Sequence, residues 1–176
     1  AGNNSFYYSS PELMEGLTVQ ASYQPQGSKI SSGTGYGVQY TGVEGLTLKY
    51  ASSDITGTSA TASGDETVLY ASYAMGSFTA SYSDLESDIG TASSDYSQES
   101  AAITYTVSDE LSVTYGVESS AIEGTTTEAE YSTLSASYTA GGMTITAGMH
   151  DAENASYTTA SNEDFEKWTL GASFAF

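Results

Sequence analysis

Five tyrosines recur at almost constant spacing: Tyr8, Tyr40, Tyr73, Tyr105 and Tyr138, at intervals of 32, 33, 32 and 33 residues. A second set, Tyr50, Tyr82 and Tyr115, keeps the same period. A fixed period of this length means that one structural unit is repeated. The gap between the two sets is nine or ten residues and holds a short turn, whereas a longer polar stretch separates one unit from the next. Two strands of about ten residues, one tight turn and one long loop account for such a unit, which is a β-hairpin. Tilted strands of about ten residues are the length that a membrane-spanning barrel needs.

Apolar and polar residues alternate with period two over most of the chain, as strands with two unlike faces require. Near the C-terminus Trp168, Leu170, Ala172, Phe174 and Phe176 alternate with Lys167, Thr169, Gly171, Ser173 and Ala175. Met143, Ile145, Ala147 and Met149 alternate with Thr144, Thr146, Gly148 and His150, and Leu111, Val113, Tyr115 and Val117 with Ser112, Thr114, Gly116 and Glu118. The pattern predicts eleven strands, at 4–10, 16–25, 34–42, 45–54, 65–75, 77–86, 98–108, 110–119, 129–140, 142–151 and 166–176. Short turns (Pro11–Gly16, Val43–Gly45, Gly76–Ser77, Ser108–Glu110, Gly141–Gly142) alternate with long loops at 26–33, 55–64, 87–97, 120–128 and 152–165. That asymmetry is a membrane-barrel trait. Five acidic residues, Glu12, Glu15, Glu44, Asp109 and Glu110, lie by the turns, and the other seventeen lie in the long loops or the strand ends feeding them. One rim is therefore expected to be strongly negative.

Charge excludes one class of partner. There are 22 acidic residues against three lysines, no arginine and one histidine, for a net charge of −19. Nucleic-acid binding needs a basic surface. Disorder is not implied, because disordered acidic chains lack aromatic residues and this one has 15 tyrosines, eight of them at the fixed period. With no cysteine there is neither a disulfide framework nor a thiolate metal site. No positively charged, apolar-cored leader opens the chain, so an export signal is expected to have been removed or to lie upstream. One domain over residues 1–176 is the expectation from length.

Alternation alone does not say which face meets water. Aromatic residues decide it by clustering at strand ends on the apolar face. Tyr8, Tyr40, Tyr73, Tyr105, Tyr138 and Phe174 sit toward the short turns, and Tyr23, Tyr50, Tyr82, Tyr115 and Trp168 toward the long loops. Two belts on one face match the two interfacial girdles of a membrane barrel. Between them the face is built from small residues such as Ala21, Val38, Ala71, Ala80, Ala136 and Ala172. These would fill a soluble core poorly, since interiors are close-packed. The opposite face is Ser, Thr, Gly and Gln, which suits an aqueous lumen. The expected fold is thus all-β: an antiparallel, up-and-down transmembrane β-barrel. A soluble secreted β-sandwich or β-solenoid is the competing architecture.

The segment Asn4-Ser5-Phe6-Tyr7-Tyr8-Ser9-Ser10-Pro11-Glu12-Leu13-Met14-Glu15-Gly16-Leu17 resembles a stretch of the general porins of Gram-negative outer membranes. There an Asn-Ser strand start leads through an apolar-basic-Tyr step and Ser-Pro into the next strand. The closing Phe176, preceded by alternating apolar residues, resembles the outer-membrane assembly signal of the same proteins. The resemblance implies a sixteen-stranded barrel, a homotrimer and an outer-membrane location, with this chain covering strands six to sixteen. Eleven is odd, whereas single-chain bacterial barrels have even strand numbers, and open edges in lipid are prohibitive. Partner strands of the same barrel are therefore expected on the N-terminal side. The chain departs from the family at Tyr7, which stands where the strand motif carries a base.

Seven longer or polar side chains fall on the inferred lumen face: Tyr7, Gln20, Gln39, Lys49, Glu118, His150 and Lys167. They are the candidate pore-lining residues, read against the plainer alternative that they merely solvate the inner wall. His150 has no evident nucleophile–base–orienter set around it, so no enzyme activity is expected. The carboxylates of Asp84-Leu85-Glu86-Ser87-Asp88 faintly resemble a calcium loop, but Gly90 is misplaced and no terminal Glu follows. No cofactor is expected, and only weak divalent-cation binding by several acidic loops together stays open. Asn154-Ala155-Ser156 is a formal glycosylation sequon, without force in a bacterial protein. The function that follows is passive diffusion of small hydrophilic solutes and ions, with cations favoured by the acidic rim. The alternative is a surface protein whose loops serve adhesion, without an open pore.

Overall fold

The computed structural model describes residues 5–25, 32–57, 63–90, 95–159 and 164–175. All eleven expected strands are present, and there is no helix among the described residues. They are β1 (Phe6–Ser9), β2 (Leu17–Gln24), β3 (Ser32–Tyr40), β4 (Leu46–Thr56), β5 (Gly64–Met75) and β6 (Phe78–Ile89), followed by β7 (Tyr96–Thr106), β8 (Leu111–Ile122), β9 (Ala129–Ala140), β10 (Met143–Glu153) and β11 (Phe165–Phe174). They form one antiparallel sheet in strict sequence order, each strand hydrogen-bonded to its neighbours in the chain. The chain gathers into two compact units. Unit 1 is Ala1–Ser72, Ser83–Gln98 and Ile122–Gly124, and unit 2 is Tyr73–Tyr82, Glu99–Ala121 and Thr125–Phe176.

In unit 1 the register separates the two faces. Leu17, Tyr40 and Leu48 share one apolar row; Val19, Val38 and Tyr50 share the next; Tyr8, Ala21, Tyr36 and Ser52 the third. The intervening rows are polar, with Thr18, Gln39 and Lys49 in one and Gln20 and Gly37 in another. A one-residue slip would exchange every side chain between faces, so this pairing is strongly specified.

Unit 2 repeats the arrangement over β8 to β11. Its apolar rows are Ala140–Met143–Phe174, Leu111–Tyr138–Ile145–Ala172, Val113–Ala136–Ala147–Leu170 and Tyr115–Leu134–Met149–Trp168. Between them run Ser112–Ser137–Thr146–Gly171 and Thr114–Ser135–Gly148–Thr169. Four apolar rows two residues apart span about 20 Å of strand at roughly 3.4 Å per residue.

The short turns close tightly. Gly141 and Gly142 have φ of 58° and 78°, the positive pair that a two-residue type I′ hairpin demands and that matches the strand twist. At the β1–β2 turn Gly16 has φ 75°, and a Cβ there would collide with the backbone nitrogen of Gly42. Only glycine lets these two turns touch, and the Thr41 N–H donates to the Gly16 carbonyl at 2.8 Å.

At the loop ends the strands run further than alternation predicts. β6 continues to Ile89, β8 to Ile122 and β10 to Glu153, shrinking the expected loops at 87–97, 120–128 and 152–165. On β6 and β10 the apolar positions have turned acidic, as Asp88 and Glu153 show, so the side-chain pattern fades while the strand persists. The expected assembly residue Phe176, and most of the expected loop at 26–33, lie outside the described residues.

Candidate functional surfaces

Among the described residues nothing buries the large side chains of either face. Among the described residues the only buried apolar side chains are Ala129 and Ala152, and no large side chain is fully buried. Trp168 is 76% exposed and Leu170 82%. A water-soluble domain buries its large apolar side chains to offset the conformational entropy of ordering. Here Tyr, Leu, Val, Ile and Trp stand in register on an open surface, and only an apolar surrounding medium makes that arrangement stable.

The aromatic candidates fall on this apolar face. In unit 2 Tyr115 and Trp168 share one row, Tyr138 lies two rows nearer the turns, and Phe174 one row beyond that. Tyr105 stacks on Phe78 with ring centroids 4.7 Å apart. In unit 1 Tyr8, Tyr23, Tyr40 and Tyr50 lie on the corresponding face. Alternation along their strands places Tyr73 of β5 and Tyr82 of β6 likewise. Sequence reasoning overlooked Tyr36, which shares a row with Tyr8 and tilts toward Tyr50, with ring centroids 6.2 Å apart. Its position outside the 32–33 residue period hid it.

The seven candidate wall residues fall into two groups. In unit 1 Gln39 stands opposite Lys49, Gln20 opposite Gly37, and Tyr7 opposite Ser22. The Lys49 ammonium lies 5.6 Å from the centroid of the Tyr70 ring, a cation–π contact. In unit 2 His150 stands opposite both Thr133 and Lys167, and Glu118 opposite Tyr131 one row nearer the loops. The His150 ring is held from both sides, Nδ1 by the Thr133 hydroxyl at 3.1 Å and Nε2 by the Thr169 hydroxyl at 3.2 Å. Two hydroxyls fix the ring without supplying the carboxylate that would orient it as a base.

Beyond the aromatic rows the apolar face becomes acidic. Asp151 stands opposite Ser132 and Glu166, Glu130 opposite Glu153, and in unit 1 Asp54 opposite Thr34. In unit 2 a cavity of about 370 Å³ opens at this level, and its lining includes Tyr82, Tyr115 and Val117 together with Glu99, Glu130, Asp151 and Glu153. Among the described residues no group of three or more such side chains is arranged to hold a metal ion.

A second acidic knot ties strand ends in unit 1. The Ile89 N–H donates to the Asp95 carboxylate at 2.9 Å, and the Glu123 N–H donates to the Asp95 carbonyl at 2.9 Å. The Asp95 charge, helped by partial desolvation and by Asp65, pushes the Asp88 carboxyl above its usual range. A hydrogen bond with Asp95 does the same to Glu123. Like charges held together favour protonation.

The family model described as Gram-negative porin matches residues 1–176. No curated protein matches the chain in sequence. Among solved structures, a porin refined at 1.8 Å superposes with a TM-score of 0.72 at 17% identity, covering 97% of this chain and 60% of the porin. OmpT, an outer membrane protein of Vibrio cholerae folded in vitro, gives 0.63 at 16% identity over 96% of this chain and 62% of its own. OmpT expressed in the outer membrane gives 0.58 at 18% identity over 85% and 54%. The chain thus spans about 60% of the length of the porin it superposes on.

Proposed function

The chain belongs to the Gram-negative porin family, and from that premise we propose that its strands form the wall of a passive diffusion channel for small hydrophilic solutes and ions. It is a protein of the outer membrane. The observation that carries the reading is the two-faced sheet without a core: rows of exposed Leu, Val, Tyr and Trp on one side, rows of Ser, Thr, Gly and Gln on the other. Lipid satisfies the first surface and water the second.

On this reading residues 1–176 act as one barrel domain, and β1 and β11 pair with further strands of the same barrel. Unpaired strand edges in hydrocarbon are too costly to persist. The assembly is a homotrimer, as the family resemblance implies. Tyr7, Gln20, Gln39, Lys49, Glu118, His150 and Lys167 line the water-filled side, the aromatic rows sit at the two interfaces, and Phe176 serves assembly. Transport makes and breaks no covalent bond, so no catalytic residue is assigned.

The acidic strand ends set a cation preference by raising the local concentration of counter-ions. The preference fades with salt, because screening shortens from about 10 Å at 0.1 M to about 3 Å at 1 M. The test is the reversal potential across a planar bilayer under a salt gradient. Cation selectivity that weakens at high salt is expected, and reduced selectivity after Asp84→Asn, Glu86→Gln and Asp88→Asn together. Anion selectivity would overturn the electrostatic part, and a silent bilayer would overturn the channel.

A further inference from the structure

Two polar rows of unit 1 make a dent in the wall. The first is Tyr7, Ser22, Gly35 and Ser53, and the second is Ser9, Gln20, Gly37 and Ala51. Both rows have glycine on β3, so the wall there is bare backbone. The cavity has a volume of about 310 Å³, with Tyr7, Gln20, Ser22, Ser53 and Glu66 around that bare floor. That volume lies at the lower end of the range for small-molecule sites, about 300 to 1,000 Å³.

The glycines are part of the shape. A Cβ on Gly35 would stand 2.8 Å from the Ser22 hydroxyl oxygen, and one on Gly37 3.9 Å from the Gln20 Oε1. Both side chains therefore lean over the floor. Glu66 is held in turn by the Ser87 hydroxyl, which donates to its Oε1 at 3.3 Å.

We propose that this dent is a subsite for a monosaccharide ring. Strands lie about 4.8 Å apart, so the gap between the Ser22 and Ser53 strands is about two strand spacings, wide enough for a pyranose. A sugar ring offers a C–H face, which suits bare backbone and the Tyr7 ring. Around its edge are hydroxyls that each donate and accept. Gln20, Ser22 and Ser53 also donate and accept, while the Glu66 carboxylate accepts hydrogen bonds from hydroxyls. An anion would find no cation among these side chains, and a metal ion would find a single carboxylate. The assignment deepens the channel reading and rests on it for solute access to this face, but binding in the dent needs no open pore.

Saturation-transfer NMR of the detergent-solubilised protein with methyl glucoside tests it, with sorbitol as the ringless control. Transfer to the glucoside ring protons and little to sorbitol is expected. Tyr7→Ala should weaken binding about two- to tenfold, the worth of one aromatic contact. Gly35→Val should abolish it by filling the dent. Gln20→Leu, which keeps the strand and its exposure, guards against a folding defect and should also weaken it. Equal transfer to both compounds, or glucoside binding untouched by Tyr7→Ala and Gln20→Leu, overturns the subsite. Conductance is read separately: a silent bilayer with intact transfer refutes the channel and leaves the subsite standing, whereas conducting pores without transfer refute the subsite alone.

Discussion

The hairpin β9–β10 has two halves with one backbone and opposite surroundings. From Ala140 and Met143 to Leu134 and Met149 one face is apolar; from Ser132 and Asp151 to Glu130 and Glu153 the same face is acidic. The ladder runs through both without a break. Pairing is therefore carried by backbone hydrogen bonds, and the side chains register which medium surrounds each half. The near half is written for hydrocarbon and the far half for water and its ions.

The largest effect that would break this comparison comes from placing the same cation in both halves. Ala136 sits in the middle apolar row and Ser132 in the first acidic one, on one strand and one face. Ala136→Arg is expected to cost about 2–4 kcal/mol of unfolding free energy in phospholipid vesicles, and Ser132→Arg about 0–1 kcal/mol, following the depth dependence of charge on a lipid-facing strand. Denaturant titration of the vesicle-embedded protein measures both. Two equal, small costs would mean that both halves face water, because exposed surface substitutions rarely exceed about 0.5 kcal/mol.

That contrast also explains what the sequence could disclose. The near halves were legible, since a lipid boundary forces apolar residues onto alternate positions. All eleven strands were visible for that reason. The far halves were less so: Asp88 falls in the loop expected at 87–97, although it lies on β6. Where both faces meet water, nothing constrains which residues alternate. That Glu130 and Glu153 stand opposite one another follows only from register. Tyr70, Tyr131 and Tyr36 stand outside the repeat, so their roles beside Lys49, Glu118 and Tyr50 needed the neighbouring strands. The glycine-floored dent was hidden for the same reason, because Tyr7, Ser22, Gly35 and Ser53 are neighbours only across four strands.

A smaller effect sharpens the comparison through pH. The far ends in unit 1 hold Asp88 and Glu123, both raised above their usual values of 3.8 and 4.5 by Asp95. A carboxyl raised in the folded state binds more protons folded than unfolded. Its stabilising contribution is complete below the unfolded value and is lost as pH rises through the folded one. Acidification should therefore tighten these strand ends, opposite in sign to ordinary acid denaturation. Asp95→Asn keeps an acceptor for the Ile89 N–H and removes the charge, so both carboxyls should return toward their usual range in a carbon-detected NMR titration. Amide protection at Ile89 and Glu123, taken relative to intrinsic exchange, should then lose its pH dependence, while amides between the aromatic rows stay unaffected. An Asp88 titration that Asp95→Asn leaves unchanged would remove Asp95 as the cause.

The smallest effect concerns how order persists past the band in unit 2. After β10, Asn154 and Tyr157 both have positive φ, 53° and 58°, a region that non-glycine residues seldom occupy. The Tyr157 N–H donates to the Asn154 carbonyl at 2.7 Å, and the Asn154 N–H to the Asp164 carboxylate at 2.9 Å. The Tyr157 hydroxyl lies 3.3 Å from that of Ser120, which is 3% exposed. A strained turn is held closed by a tertiary bond to β8. Tyr157→Phe keeps the ring and the backbone strain but leaves the Ser120 hydroxyl buried without this partner, at a cost of about 1 kcal/mol. That corresponds to roughly fivefold faster hydrogen exchange at the Tyr157 amide, read as local opening. The Leu134 and Met149 amides, inside the apolar band, should exchange as before. If they accelerate equally, the two halves of the hairpin open as one unit and the division drawn between them is chemical rather than energetic.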